Sequence, residues 1–188
     1  MSFVAFLVRW GLFKGRTLDE ELAYVRYFHN HPTNVLLHTI FAHLLLLSFL
    51  ALVRVVGHHT LDVVVVAAYS IGFMKLDVLT GTLGCIAFVT TDAVLRHIVI
   101  PLPYPANVAV VMLCAALGGG MQLLGHIHYD KSMPAFRAFE AFFTTPFYLY
   151  LSILFRLGYK EQWRRRIEAK TMMWKGSERK IYGERTFH

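Results

Sequence analysis

The fold is decided by one apolar stretch, PTNVLLHTIFAHLLLLSFLALV, which occupies residues 32–53. It contains no Asp, Glu, Lys or Arg, and its length matches the roughly 20 residues with which an α-helix crosses the hydrocarbon core of a bilayer. Proline is well tolerated in the first turn of a helix, so the helix should begin near Pro32. This stretch therefore predicts a membrane-spanning helix from Pro32 to about Val53.

Further apolar runs follow at residues 61–74, 78–95 and 106–124, and a shorter run at residues 141–155 contains Pro146. Of the 188 residues, 56% are hydrophobic and only 16% are charged, whereas a soluble domain carries about 25% charged residues. Much of the surface should therefore face lipid.

We predict an all-α integral membrane helical bundle, with about four full spans, a fifth re-entrant or interfacial hydrophobic segment, and short amphipathic terminal helices. The chain is expected to form a single membrane domain over residues 1–188. Within it, residues 1–31 should lie at the membrane interface, residues 32–158 should form the bundle, and residues 159–188 should form a basic tail.

The positive charge is concentrated at the two ends of the chain. The formal net charge is +7, with four Lys or Arg residues before the first span and ten after residue 155. Basic segments that flank apolar spans favour contact with anionic lipid headgroups, and no motif supports a nucleic-acid partner. Because basic flanks stay cytosolic, we expect both termini on the cytosolic side and an even number of full spans.

This topology predicts which polar residues share a side of the membrane. His29, His38, His126 and Asp77 fall on the cytosolic side, and His58, His59 and His97 fall on the opposite side. A histidine at a membrane surface is most simply an interface residue whose ring nitrogens are hydrated. This is our interpretation of the three histidines on the opposite side and of His188. His43 lies within the first span, where we expect it to be hydrogen-bonded inside the bundle.

The first candidate cluster surrounds the start of the first span. Asn34 and His38 are four residues apart and hence share a helical face. His29 precedes the break at Pro32, so the chain can fold it back toward that face. Neutral imidazole is a common ligand of zinc, iron, copper and nickel, so this cluster indicates a possible metal site, with three unrelated interface histidines as the alternative for His29, His38 and His126.

The second candidate cluster follows the fourth span. Gln122, His126 and Asp130 recur at intervals of four residues and therefore share a face of a helix. His128 lies about 200° around an α-helix from His126, so both cannot point at one metal ion if the helix continues. For Asp130 the alternative to a role at the site is a helix cap or a salt bridge. Asp77, which follows the aromatic residues Tyr69 and Phe73 and precedes Gly81, could pair with Lys75, cap a helix or orient a ligand histidine.

Together these motifs resemble the 2-hydroxy fatty acid dioxygenase family. The resemblance is carried by His29-x-x-Pro32-x-Asn34-x-x-x-His38, by Gln122-x-x-Gly125-His126-x-x-Tyr129-Asp130-x-x-x-Pro134-Ala135, and by Tyr69, Phe73, Asp77 and Gly81. It covers roughly residues 18–159. The family usually has Glu where this chain has Asp130.

The resemblance implies an iron(II)-dependent dioxygenase that removes one carbon from a 2-hydroxy long-chain fatty acid with O₂ and without 2-oxoglutarate. It implies that His29, His38 and His126 hold the metal and that the protein lies in the endoplasmic reticulum membrane. Asp130 would be a fourth ligand or an acceptor beside the ligands, with His128 as another candidate ligand. Asn34, Gln122 and Tyr129 would hydrogen-bond the substrate carboxylate or an oxygen at the metal.

Two other classes of function remain open on the sequence. One is a di-iron membrane hydroxylase or desaturase, which requires more histidines at one centre than this topology brings to one side. The other is a non-enzymatic metal carrier or assembly factor, which would need ligands along a path through the bilayer. Histidine ligands by themselves do not exclude zinc.

Overall fold

The computed structural model describes residues 2–56, 60–131 and 137–182, and the side chains of the last helix as far as Met172. Of the residues singled out above, His58, His59, Pro134, Ala135 and His188 lie outside the described residues. Within the described ranges the regular secondary structure is helical, with no strand. The predicted all-α class is thereby confirmed.

Eight α-helices follow one another along the described chain, and three short π-helical segments extend or precede them. The α-helices are α1 Phe3–Arg9, α2 Leu18–Phe28, α3 Pro32–Val56, α4 Leu61–Leu76, α5 Val78–Val94, α6 Ala106–Leu124, α7 Thr145–Arg156 and α8 Glu161–Tyr182. The π-helical segments are Leu95–Val99 after α5, Gly125–Asp130 after α6 and Glu140–Thr144 before α7. The predicted start of the first span at Pro32 is confirmed.

Three of the described helical stretches are long and apolar enough to cross a membrane. They are Pro32–Val56, Val78–Val99 and Ala106–Asp130, with mean hydropathies of 2.2, 1.7 and 1.9. Helix α4 has 16 residues, which is about 24 Å of helix and less than the roughly 30 Å of a hydrocarbon core. The figure of about four full spans, and the re-entrant or interfacial placement of the segment at α7, therefore stay predictions.

The chain divides into two compact units. The first comprises residues Met1–Val35 and His126–His188, and the second comprises Leu36–Gly125. The single membrane domain expected from the sequence stays a prediction.

In the first unit, α8 packs along α2. The indole of Trp163 donates to Asp19 over 2.6 Å, and Lys170 pairs with Glu20 over 3.2 Å. Trp163 and Ile167 are buried, while the side chain of Arg165 on the outer face remains 75% exposed. As far as Met172, one face of α8 is therefore packed against protein, and the outer face carries exposed basic side chains.

Two buried carboxyl groups face each other in the first unit. Glu21 accepts from the backbone N–H groups of Lys14 and Gly15 at 2.6 and 3.1 Å, so it holds the segment before α2. Glu140 begins the π-helical segment before α7 and is 3% exposed. Burial and the neighbouring Glu21 carboxylate raise the pKa of Glu140 to about 8, against the weaker opposing effects of Arg137 and Lys14.

In the second unit, α4 and α5 form a tight helical hairpin around Asp77. The Asp77 backbone is extended, and its carboxylate accepts from the backbone N–H of Thr80 at 3.0 Å and from the Thr80 hydroxyl at 2.7 Å. Asp77 thus acts as the N-cap of α5. A Cβ atom on Gly81 would lie only 2.4 Å from the backbone nitrogen of Met74, so glycine is what permits this close helix crossing.

An ionic network joins the ends of three helices in the same unit. The carboxylate of Asp62 is fully buried and lies 2.9 Å from Arg54 and 2.6 Å from Arg96. Arg96 also pairs with Asp92 at 2.7 Å. Two anions and two cations balance, so the charges are compensated where α3, α4 and α5 end or begin.

We expect Gly81→Ala to destabilise the protein, because the added methyl group would overlap the backbone of α4 rather than a movable side chain. Overpacking of this kind costs about 1–3 kcal/mol, which should lower the melting temperature in detergent by several degrees. Gly120→Ala on α6 is the matched control, since a Cβ atom there meets nothing within 4 Å. A melting temperature for Gly81→Ala equal to that of the control would contradict the close packing of the hairpin.

We also expect stability to depend on the ionisation of Glu140. Its pKa in the folded protein, about 8, lies above the ordinary value of 4.5, so the folded state binds the proton more tightly. Stability should fall as the pH rises from about 4.5 to about 8 and then level off.

Glu140→Gln removes this ionisation, so its melting temperature should exceed that of the wild type at pH 8 by at least about 2–4 °C. The residual slope would come from Glu21, whose pKa is raised by the same burial. Glu161→Gln is the control, because Glu161 is held ionised by Arg164 and Arg165. Parallel melting curves for wild type and Glu140→Gln from pH 5 to 8 would show that Glu140 does not titrate in this range.

Candidate metal centre

His29 ends helix α2, and its backbone fixes the orientation of its ring. It is the C-cap residue, and its N–H donates to the carbonyl of Arg26 at 3.1 Å. The ring Nδ1 lies 2.9 Å from the carbonyl oxygen of Val25. Because a carbonyl only accepts, Nδ1 carries the hydrogen, and Nε2 is the nitrogen that can bind a metal, the arrangement usual for metal-ligating histidines.

His126 is the second residue of the π-helical segment Gly125–Asp130, which continues α6 without a break. Single π-helical turns within α-helices occur frequently at functional sites. His126 is buried, and its ring contacts that of His29, with centroids 4.9 Å apart at an angle of 67°. Two histidines that are 97 positions apart in the chain are thereby in direct contact.

His38 completes a group of three. It follows Asn34 by one turn of the same unbroken helix α3, and it is buried. One ligand nitrogen from each of His29, His38 and His126 lies within 4.8 Å of the other two. Nitrogen ligands about 2.1 Å from one ion are separated by roughly 3–4 Å, so small ring rotations would bring all three into coordination. The three histidines expected from the sequence are thus brought together, and they could bind a metal.

The carboxylate of Asp130 faces the start of α3. Its Oδ1 accepts from the backbone N–H of His31 at 2.7 Å, and its Oδ2 accepts from the side-chain amide of Asn34. Among the described residues, the group of potential ligands contains the three histidines and not Asp130. The role of acceptor for a residue beside the ligands fits this geometry, and the choice between that role and a fourth ligand stays a prediction.

The remaining predicted residues lie on the same segments as the histidines. Gln122 is one turn before His126 on α6 and is half-buried. Tyr129 is half-buried and stacks on the His31 ring, with centroids 5.1 Å apart at 26°. His128 is exposed and contacts the edge of Tyr129, so its side chain is not part of the group. The roles of Asn34, Gln122 and Tyr129 toward a substrate stay predictions.

The motif formed by Tyr69, Phe73, Asp77 and Gly81 serves the packing of the α4–α5 hairpin. Tyr69 and Phe73 pack against Phe88 at centroid distances of 5.1 and 5.6 Å, inside the α4–α5 hairpin. Asp77 caps α5 and Gly81 permits the helix crossing, as described above. Helix capping, one of the alternatives left open for Asp77, is observed.

Sequence reasoning missed two features of this region. The first is His31, whose backbone and ring both contact the segment that carries His126. The second is the pair formed by Glu21 and Glu140. The only available signal for the pair was an acid beside an aromatic run in Phe139-Glu-Ala-Phe-Phe143, which does not identify the partner.

Comparisons with known proteins were made at the level of families, sequences and folds. No family model matches the chain, and no solved structure matches it. The chain is similar to 2-hydroxy-palmitic acid dioxygenase MPO1 of Saccharomyces cerevisiae, with 24% identity over 156 residues, covering 80% of this chain and 87% of the yeast protein. This similarity to a dioxygenase, together with the apolar helices, supports a related oxidoreductase function in a membrane.

Proposed function

We propose that this protein is an iron(II)-dependent dioxygenase that converts 2-hydroxy fatty acids to fatty acids one carbon shorter. The observation that carries the proposal is the buried group of His29, His38 and His126. The similarity to a yeast enzyme named for 2-hydroxypalmitic acid supports the substrate class.

The donor set fits iron(II). Imidazole is a suitable ligand for iron, and three protein ligands leave further coordination positions for substrate and dioxygen. Neutral histidines do not offset the 2+ charge of the ion, and the carboxylate of Asp130 is engaged with His31 and Asn34. The site therefore favours an anionic chelating ligand, and a 2-hydroxy acid offers a carboxylate and a hydroxyl on adjacent carbons.

The overall reaction balances without a further reductant. A 2-hydroxy acid and one O₂ yield the acid one carbon shorter, CO₂ and water, with four electrons passing from the substrate to O₂. When bound, iron(II) would supply the redox chemistry that allows O₂ to react. The cleaved bond is the one between the carboxyl carbon and the hydroxyl-bearing carbon.

The protein's own residues would bind and orient the substrate. Asn34 lies one turn from His38, and Gln122 one turn from His126, so both place an amide beside a ligand histidine. Tyr129 adds a phenol on the same segment as His126. The apolar surfaces of the long helices suit an acyl chain that partitions into lipid.

The proposed location is the endoplasmic reticulum membrane, with both termini and the metal centre on the cytosolic side. The basic ends of the chain support this orientation. The compartment rests on the family resemblance.

A di-iron hydroxylase or desaturase is the nearest alternative. Such a centre needs ligands for two ions, whereas the described residues contain one group of three histidines that could hold a metal. The observed group therefore favours a mononuclear site.

We expect the purified protein, loaded anaerobically with iron(II), to consume O₂ when 2-hydroxypalmitate is added and to form pentadecanoate in equal amount. Palmitate should support no uptake, since it lacks the hydroxyl group. His126→Ala should abolish the reaction, because it removes a ligand of the metal. The loss of activity should exceed the roughly 10–100-fold loss that follows when a hydrogen-bond partner of a ligand is removed. His97→Ala is the matched control, because His97 is exposed and is not among the three histidines that could hold a metal. Iron-loaded protein without uptake would exclude the proposed substrate.

Metal exchange gives an independent prediction. A chelator should remove the metal and the activity together, and iron(II) should restore both. Zinc should compete for the same histidines without restoring activity, because Zn²⁺ has no redox chemistry. Full activity of the zinc-loaded protein would contradict an iron-dependent dioxygenase.

A further inference from the structure

We infer that Asp130 is a positioning residue, which clamps the first turn of α3 to the π-helical segment that carries His126 and thereby holds the metal-binding histidines in place. The inference rests on the proposed metal centre and adds a role for a residue that does not itself bind the ion. All contacts of the clamp lie within the first unit.

The first half of the clamp is a helix cap supplied from a distant part of the chain. Helix α3 begins at Pro32, which has no N–H, and the N–H of His31 just before it donates to Asp130 at 2.7 Å. The N–H of Thr33 donates to the ring nitrogen of His31 at 3.2 Å. A carboxylate at this position also interacts favourably with the positive end of the helix dipole.

The second half of the clamp is the side-chain amide of Asn34. Asn34 is fully buried, and its Nδ2 donates to the other oxygen of Asp130. The bond fixes which way the amide faces, because the carbonyl oxygen must then point away from Asp130. His38 follows one turn later on α3, so the clamp that orients Asn34 also anchors the helix on which His38 lies.

The other end of the clamp is anchored beside His126. Asp130 follows His126 by four residues in the same π-helical segment, so the two side chains project from a similar side of it. The ring of Tyr129, between them in the chain, stacks on His31. The segment with His126 and the start of α3 are therefore joined by the hydrogen bonds to Asp130 and by one ring stack.

Replacing Asp130 by Asn introduces a donor where the clamp needs an acceptor. If the carbonyl oxygen of the new side chain keeps the bond to the N–H of His31, its NH₂ group faces the NH₂ group of Asn34. Two donors then face each other, and the hydrogen bond is lost. The backbone of His31 cannot turn, so Asn34 would have to reverse or withdraw. Asp130→Glu keeps two acceptor oxygens and differs only in length.

Cobalt(II) is the probe for the test, since its visible spectrum reports the ligands and its affinity can be titrated in detergent. We expect Asp130→Asn to bind one cobalt ion with an affinity about 10–100-fold lower than the wild type, the usual effect of losing an outer partner of the ligands. The spectrum of the saturated variant should match the wild type, because the three imidazoles remain. Asp130→Glu should recover part of the affinity.

A double-mutant cycle with Asn34→Ala tests whether the two residues act as one clamp. The double variant should bind cobalt about as weakly as the weaker single variant, since either change breaks the same contact. If Asp130→Asn fails to fold, Asn34→Ala alone carries the test, because it removes the other partner of the same contact. Asp77→Asn is the matched control, because it changes a capping carboxylate that belongs to the α4–α5 hairpin and should leave cobalt affinity unchanged.

The outcomes separate the clamp from the proposed function. The clamp would be overturned if Asp130→Asn bound cobalt as tightly as the wild type, or if the losses of cobalt affinity in the cycle were additive. A changed cobalt spectrum at saturation would also overturn it, because that result would show Asp130 to be a ligand. In each case a wild type that binds one cobalt ion leaves the metal centre standing. A wild type that binds no cobalt would instead overturn the metal centre and the function proposed from it.

Discussion

The contact between Asp130 and the start of α3 is the interaction on which the candidate site depends. His29, His38 and His126 come from three different helical segments, and a metal site requires their nitrogens to meet within a few ångströms. Asp130 joins two of these segments, through the N–H of His31 and the amide of Asn34. The third ligand, His29, is oriented by the last turn of α2, where Val25 accepts from its ring. The ring of His29 is thus oriented by a backbone carbonyl, and the segments that carry the other two histidines are joined through Asp130.

Periodicity and helix-breaking residues predicted much of this fold. The start of α3 at Pro32 and the limits of α6 could be predicted, because in both cases an apolar run follows directly on a proline. We also expected the three histidines to lie on the same side of the membrane, because an even number of spans was predicted. In contrast, the hydrogen bond from His31 to Asp130 joins residues 99 positions apart, and no local pattern encodes such a pair. The packing of α8 was missed for the same reason, because Trp163 and Asp19 are 144 positions apart.

The chemistry of the site follows from what surrounds it. Three neutral imidazoles would leave the charge of a divalent ion uncompensated, and the Asp130 carboxylate accepts hydrogen bonds from His31 and Asn34. An anionic substrate that chelates the ion would supply both the missing charge and the missing ligands. A long acyl chain matches the apolar helices that carry His38 and His126. The hydrogen bonds that engage the Asp130 carboxylate are therefore consistent with the proposed 2-hydroxy acid as the partner of the metal.

The most direct test of the central claim is X-ray absorption spectroscopy of the iron(II)-loaded protein under anaerobic conditions. The account predicts one iron per chain with about three imidazole nitrogens at roughly 2.0–2.2 Å, and no second iron nearby. An iron–iron distance of about 3.5–4 Å would indicate a two-metal centre, and a spectrum without imidazole scattering would show that the three histidines do not bind the ion. Either result would contradict the three-histidine centre.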